Sequence, residues 1–281
     1  MRFELSPHQQ FVKNFLSLNT PYNSLLLYHG LGTGKTCSAI GVSEEMRNYM
    51  MQMGITKKII IVASPNVQGN FRQQLFDDRK MKKVGGVWNI EACSGNTFLT
   101  EINPSQLRGV SKDKILTQVK RIIDNYYSFM GYVEFANYIR KSANVSEEFS
   151  PDKREAISRR KLENVFSNRL IIIDEVHNIR MGNEKKGKRV AVWLEKLVDA
   201  VHPLRLLFLS ATPMYNDPRE VIWLLNLMNK NDGRSTIEMK QVFNSNGDMV
   251  INADGEEVGK ELLMRKATGY VSFLRGDNPY A

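Results

Sequence analysis

The stretch Leu25–Thr36, LLLYHGLGTGKT, constrains this chain more than any other. A run of large apolar residues ends at Tyr28, a glycine-rich loop follows, and the loop closes on Gly34-Lys35-Thr36. That order describes a buried strand, a phosphate-binding loop and the first turn of a helix. With glycine at 30, 32 and 34, backbone N–H groups can close around a polyphosphate without a Cβ in the way. Leu31 and Thr33 complete the nucleotide-binding loop. Lys35 is placed to reach the β- and γ-phosphates, and the Thr36 hydroxyl to take a Mg²⁺ coordination place. The general pattern has glycine six residues before the lysine, where this chain has His29.

A short glycine-lysine string arises by chance often enough that its partners must be sought downstream. Ile59–Ala63 is a second apolar, mostly β-branched run and ends in Ser64-Pro65-Asn66. Leu170–Ile173 is a third, followed at once by Asp174-Glu175-Val176-His177. Leu206–Leu209 is a fourth and runs into Ser210-Ala211-Thr212-Pro213. Continuous apolar runs of this length suit strands buried on both faces. Helical patterns separate them: residues 5–18 behind Ser6-Pro7, the segment from Ser38 to Met53, Asn70–Asp78, Ala191–Val201 and Glu220–Met228. Trp88–Ala92 reads as a further strand, residues 95–166 as mostly helical, and Lys185–Arg189 as a basic loop. Asn246-Gly247 and Asp254-Gly255 flank a weak hairpin signal at Met249–Ile251, and the tail ATGYVSFLRGDNPYA reads as stopping without a closing element.

Apolar strands alternating with helices predict an α/β fold with a parallel sheet sandwiched between helices, plus a helical insertion before the Asp174 strand. In such a sheet ligands sit at the carboxyl ends of the strands. All four polar clusters are placed there.

Asp174, at a strand end, is suited to hold Mg²⁺ opposite Thr36, directly or through water. Glu175 is suited to orient or deprotonate the water that attacks a γ-phosphate. Lys35, Mg²⁺ and the loop N–H groups would meet the transition-state charge. An acidic strand-end loop without metal is the structural alternative, and the phosphate loop upstream weighs against it. The net charge of +9 over 281 residues suits an anionic partner, nucleic acid first, although it also serves solubility. Cys37 and Cys93 do not amount to a disulfide framework or a metal site by number. The N-terminus lacks a signal-peptide apolar region and no apolar run approaches membrane-spanning length, so the expected setting is reducing, intracellular and away from membranes.

The ordered strings GLGTGKT, DEVH and SAT, each after an apolar run, resemble superfamily 2 helicases and translocases of the DExH type. The resemblance covers most of residues 5–228 and implies a RecA-like fold, the first of the two motor domains such proteins use. It places a helicase ATP-binding domain over residues 1–230, and a C-terminal extension over 231–281 that leads toward a second RecA-like domain. It implies ATP and Mg²⁺ as cofactors and nucleic acid as partner, DNA ahead of RNA. His177 would link the ATP site to Ser210 and Thr212, which relay nucleotide state. Gln9 is similar to the adenine-sensing glutamine of many members, and also reads as a plain surface glutamine. Ser64-Pro65-Asn66 is similar to the motif that grips the nucleic-acid backbone, and equally fits an ordinary strand-to-helix turn.

His29, DEVHN and the YVSFLRGDNPY tail resemble the helicase-like NTPases of large cytoplasmic DNA viruses, including the poxvirus-type nucleoside triphosphatase and the early transcription factor small subunit. That resemblance implies a role in transcription, a viral RNA polymerase as partner, and residence in the host cytoplasm and the virion. The second motor domain and its arginine finger are not in these residues, so weak hydrolysis is expected of them alone. Three other readings compete. Asn229-Lys230-Asn231-Asp232 matches the guanine-reading string of GTPases, but follows an apolar pattern of helical spacing. A small-molecule kinase would share the phosphate loop without explaining DEVH and SAT. A non-catalytic motor-like scaffold in a transcription complex would not need Lys35, Thr36, Asp174 and Glu175 all in place.

Overall fold

The computed structural model describes residues 4–179, 185–202, 204–214, 217 and 220–276. In chain order the first elements are α1 (Pro7–Phe15), β1 (Ser24–His29), α2 (Lys35–Gln52), β2 (Ile59–Val62), α3 (Pro65–Leu75) and the strands β3 (Met81–Val84) and β4 (Val87–Ile90). Then come α4 (Thr97–Ile102), α5 (Lys112–Tyr126), β5 (Tyr127–Met130), α6 (Tyr132–Ser142), α7 (Pro151–Phe166) and β6 (Leu170–Ile173). The remainder is α8 (Lys185–Ala200), β7 (Arg205–Ser210), α9 (Glu220–Asn231), α10 (Met239–Val242), α11 (Val258–Ala267) and β8 (Val271–Leu274). They form two compact units, Met1–Thr20 with Gly34–Met130, and Pro21–Thr33 with Gly131–Ala281. Among the described residues no helix is long and apolar enough to cross a membrane.

In the first unit, β2 and β5 pair in parallel, Ile59 opposite Tyr127 and Val62 opposite Met130. All four residues of β2 are buried, which accounts for the unbroken apolar run. Helix α1 starts on Ser6 with Pro7 in its first turn, and packs on α2. Ser64 caps α3 and Pro65 opens it, so that helix begins five residues before the predicted start. Strands β3 and β4 form a separate antiparallel ribbon. The ribbon reverses through Gly85-Gly86, both at positive φ, which a two-residue turn of this hand requires. The predicted Trp88 strand therefore exists but belongs to this ribbon.

The core of this unit holds a charged cluster. Arg47, fully buried, donates to both Glu44 oxygens and, at 2.7 Å, to Glu101 Oε2. Its guanidinium lies 5.0 Å from the Phe98 ring centre and 5.5 Å from that of Tyr126. Tyr127 donates its hydroxyl to Glu44. Burial would push the Arg47 pKa down, but the Glu44 charge and the hydrogen bonds from Glu44 and Glu101 hold it above the ordinary value. The same unit bonds Cys37 to Cys93, with Cα atoms 5.2 Å apart. The expectation of two unlinked cysteines is corrected here: spacing of 56 residues says nothing about contact, which the packing of the α2 N-terminus decides.

In the second unit, β6, β7, β1 and β8 lie in that order as parallel neighbours. Leu25–Leu27, Leu170–Ile173 and Leu206–Leu209 are each at most 2% exposed, so this sheet is covered on both faces. Helices α6 and α7 pack on α8, α8 on α9, and α9 on β1. The helices before β6 match the predicted insertion.

Three expectations change. Lys185–Arg189 is the first turn of α8, not a loop. The tail does supply a closing element, because β8 pairs along β1 from Leu26↔Val271 to His29↔Leu274; residues 277–281 lie outside the described residues. Met249 makes one isolated bridge to Phe243 in place of a hairpin.

Candidate nucleotide site

The loop between β1 and α2 is built on positive backbone torsions at Gly32 (φ 78°) and Gly34 (φ 76°). Gly34 stands at the N-cap of α2, an 18-residue helix whose first N–H groups have no side-chain cap. This is the terminus where a helix dipole and unsatisfied donors favour an anion. Gly30 is required for close approach, since a Cβ there would lie 2.3 Å from the Gly276 backbone nitrogen. Its N–H donates to Leu274 O at 2.9 Å, and its own carbonyl accepts from the Thr33 hydroxyl at 2.8 Å. Lys35 and Thr36 are the first two residues of α2, and both are partly exposed.

Gln9 lies beside the loop. Its Oε1 accepts from Ser6 N–H at 3.0 Å and its Nε2 donates to Gly34 O at 3.3 Å, with only 8% of the residue exposed. The plain surface reading is thereby excluded, and Gly34 is held to glycine by its left-handed backbone (φ 76°), where a Cβ would also displace the Gln9 amide. His29, by contrast, does not line the loop. It is buried in β1, and its Nε2 meets Ser272 Oγ of β8 at 2.8 Å.

In the second unit, Asp174 follows β6 and is 7% exposed; its Oδ1 accepts from Glu175 N–H at 2.9 Å. Glu175 adopts a left-handed backbone (φ 45°), a costly conformation for a residue with a Cβ. The turn that results points two side chains at one another: Glu175 Oε2 lies 3.3 Å from His177 Nδ1. The same nitrogen is 2.9 Å from Ser210 Oγ, which accepts from Thr212 N–H at 3.0 Å. A carboxylate beside an imidazole nitrogen favours a proton on that nitrogen, which then points Nδ1–H toward Glu175 and Ser210. Glu175, His177, Ser210 and Thr212 thus form one continuous polar chain from the end of β6 to the end of β7.

Tyr132 was missed by sequence reasoning. Its hydroxyl donates to the Asp174 carbonyl at 2.8 Å and accepts from Asn178 Nδ2 at 3.4 Å, clamping the turn from the start of α6. Burial pushes its pKa up. Nothing local in GYVEF marks this tyrosine, because its role depends on a turn 42 residues away.

Ser64, Pro65 and Asn66 form the cap and first turn of α3, with Pro65 and Asn66 exposed. Gln68 turns back to donate to Ala63 O at 2.9 Å. The guanine-type string closes α9, and its side chains are engaged internally. Asn229 donates to Leu225 O and Lys266 O, Asn231 to Leu204 O, and Asp232 accepts from Asn23 and Tyr270.

Known proteins resemble this chain in sequence and in fold. A relative from Acanthamoeba polyphaga mimivirus, whose name describes an ATP-dependent RNA helicase, is 28% identical over 99% of this chain and 23% of its own length. An early transcription factor large subunit homolog of African swine fever virus is 26% identical over 98% of this chain and 28% of its own. The chain therefore spans about a quarter of the length of these relatives. The SWI2/SNF2 ATPase core of Sulfolobus solfataricus, solved in complex with dsDNA, matches all of this chain and 46% of that one with a TM-score of 0.52 at 17% identity. That likeness shows a RecA-like α/β fold. The sequence pattern of the SNF2-related domain matches residues 8–266, and the chain belongs to that family.

Proposed function

We propose that this chain is the first motor domain of a viral, nucleic-acid-dependent ATPase of superfamily 2 that acts in transcription. The observation that carries the reading is the polar chain Glu175–His177–Ser210–Thr212 starting beside Asp174. An acidic residue held in a left-handed turn and wired to a second loop is what a hydrolase needs in order to report its nucleotide state.

The residues present fit ATP with Mg²⁺. Loop glycines at positive φ open the α2 terminus to phosphate, and a largely buried carboxylate stands at a strand end. In this reading the loop from Gly30 to Thr36 cradles the phosphates, Lys35 neutralises the β- and γ-groups, and Gln9 senses the base beside Gly34. Thr36 and Asp174 would hold the metal, which supplies charge neutralisation to the phosphates when bound. Glu175 orients the attacking water and accepts its proton. Loss of the γ-phosphate changes what Glu175 contacts, and His177 passes that change to Ser210 and Thr212.

Ser64, Pro65 and Asn66, at the exposed start of α3, contact the nucleic-acid backbone. Residues 1–230 carry the motor's ATP-site motifs, and residues 231–281, which add β8 beside β1, lead toward a second RecA-like domain that completes the site. The names of the mimivirus and African swine fever virus relatives support helicase activity and a transcription setting. In this reading the nucleic acid is DNA ahead of RNA, the setting is the host cytoplasm and the virion, and a viral RNA polymerase is a partner.

The test is Glu175→Gln in the full-length protein. We expect ATP turnover to fall by about 10² or more while nucleotide binding is retained. Unchanged turnover would remove Glu175 from the mechanism, and a wild type with no turnover would leave the scaffold reading in its place.

A further inference from the structure

The β3–β4 ribbon stands apart from every motif above. Between Arg79 and Val84 the chain reads RKMKKV, four cations with no acid, and all four are exposed. Arg79 is paired with Asp77 at 2.8 Å and Lys82 with Glu91 at 3.7 Å. Among the described residues no carboxylate pairs with Lys80 or Lys83. Lysines also protect the open edges of a two-stranded ribbon, so the charge bears on a ligand only together with the groove beside it.

The ribbon is also held rigid. Trp88 Nε1 donates to Val110 O at 2.8 Å, tying β4 to the segment before α5. Arg108 lies over Gly86 at the turn, close enough that a Cβ there would be 3.3 Å from its Cδ. That adds an exposed cation beside the tip. Lys83 Nζ sits 4.8 Å from the Trp88 ring centre.

Beside the ribbon runs a groove of about 540 Å³ lined by Lys80, Lys82, Trp88, Asn89, Asn96 and Asn103 among others. Its lining combines two lysines, of which Lys82 is paired with Glu91, with amides, the Trp88 ring and apolar side chains such as Ile90 and Leu99. A groove of that volume has room for a nucleotide or two. Cations that follow a phosphate backbone, next to an aromatic ring and amides that meet bases, are the features of single-strand binding.

We infer that the β3–β4 ribbon is a second nucleic-acid contact of this domain, and that its groove takes single-stranded DNA. Lys80 meets a phosphate from the groove wall, Lys83 a second from outside the groove beside Trp88, and Trp88 lines the path of a base. The choice of DNA rests on the function proposed above; the charge and shape of the ribbon do not.

The test is fluorescence anisotropy of the full chain with a fluorescein-labelled dT20 and with a 20-base-pair duplex, over a series of salt concentrations. Lys80→Glu/Lys83→Glu should weaken dT20 binding about tenfold and lower the salt slope by about 1.4, two phosphates at the single-strand value. Duplex binding should change less. Tryptophan emission should be quenched by dT20 in the wild type, at about tenfold higher dT20 in the variant, and not in Trp88→Phe. Both lysines are exposed, and an unchanged urea midpoint will show that the variant is folded. Wild-type affinity and slope in the variant would overturn the inference, as would equal losses for duplex and single strand. Binding of a fluorescent ATP analogue is measured in parallel. Its absence would count against the motor reading, whereas its presence with an indifferent ribbon variant would count against the ribbon alone.

Discussion

Arg47→Met tests whether the buried cluster in the first unit is held together as the structure implies. The side chain is fully buried and reaches both Glu44 and Glu101, and Glu44 itself is only 7% exposed. Methionine fills similar space but leaves the Glu44 carboxylate in the core with Tyr127 as its remaining side-chain donor. Breaking one side of a buried ion pair costs about 3–5 kcal/mol, a large part of the 5–15 kcal/mol that keeps a domain folded. Replacing both partners removes the stranded charge. Arg47→Met/Glu44→Met should therefore recover to within about 2 kcal/mol of wild type, the remainder being the hydrogen bond lost by Tyr127. The Tyr127 hydroxyl keeps Ser43 Oγ at 3.1 Å. Urea denaturation followed by circular dichroism, extrapolated linearly, gives the four corners of the cycle. A double variant as unstable as the two single variants summed would refute the reasoning, because the penalty would then lie in packing rather than in an uncompensated carboxylate. Arg47 lies about 18 Å along α2 from Lys35, so the folded single variant should still bind nucleotide.

Three further outcomes are expected. Ser210→Ala removes the link between His177 and Thr212, so nucleic-acid stimulation of the full-length ATPase should drop by about tenfold or more while ATP affinity stays within about threefold; intact stimulation would show that the chain is not a relay. Burial and a 2.7 Å hydrogen bond to Asp232 push the Tyr270 pKa to about 12, above its unfolded value of about 10. Its contribution is thus complete below pH 10 and lost as the pH rises toward 12, so the stability gap between wild type and Tyr270→Phe should narrow over that window, and a constant gap would contradict the assignment. Opening the Cys37–Cys93 bond frees a 56-residue separation, worth about 4 kcal/mol by loop entropy; reductant should lower the urea midpoint of the wild type and leave Cys93→Ser unmoved.

Much of the fold was legible because buried parallel strands declare themselves as unbroken apolar runs. Leu25–Leu27, Ile59–Val62, Leu170–Ile173 and Leu206–Leu209 are strands because each is covered on both faces. The strands that escaped notice are those with mixed burial. Tyr127–Met130 continues directly from α5 and has one buried residue of four, and Val271–Leu274 has none. An edge strand with partial cover carries little pattern of its own, and its partner supplies the order.

The placement of the loop from Gly30 to Thr36 and of the pair Asp174-Glu175, each directly after a buried strand, was legible in the sequence alone, since it depends on neighbours within a few residues. Which side chains meet across longer distances was decided by the tertiary structure. His29 looked like a loop residue and is a strand residue bonded to Ser272, 243 positions away. Tyr132 looked like the start of a helix and holds the Asp174 carbonyl. Gln9 could have been a surface residue until α1 packed on α2 and brought it to Gly34. The physical reason is the same in each case: a hydrogen bond needs its partners within about 3 Å, and only the packing of helices and strands brings residues far apart in the chain to that distance.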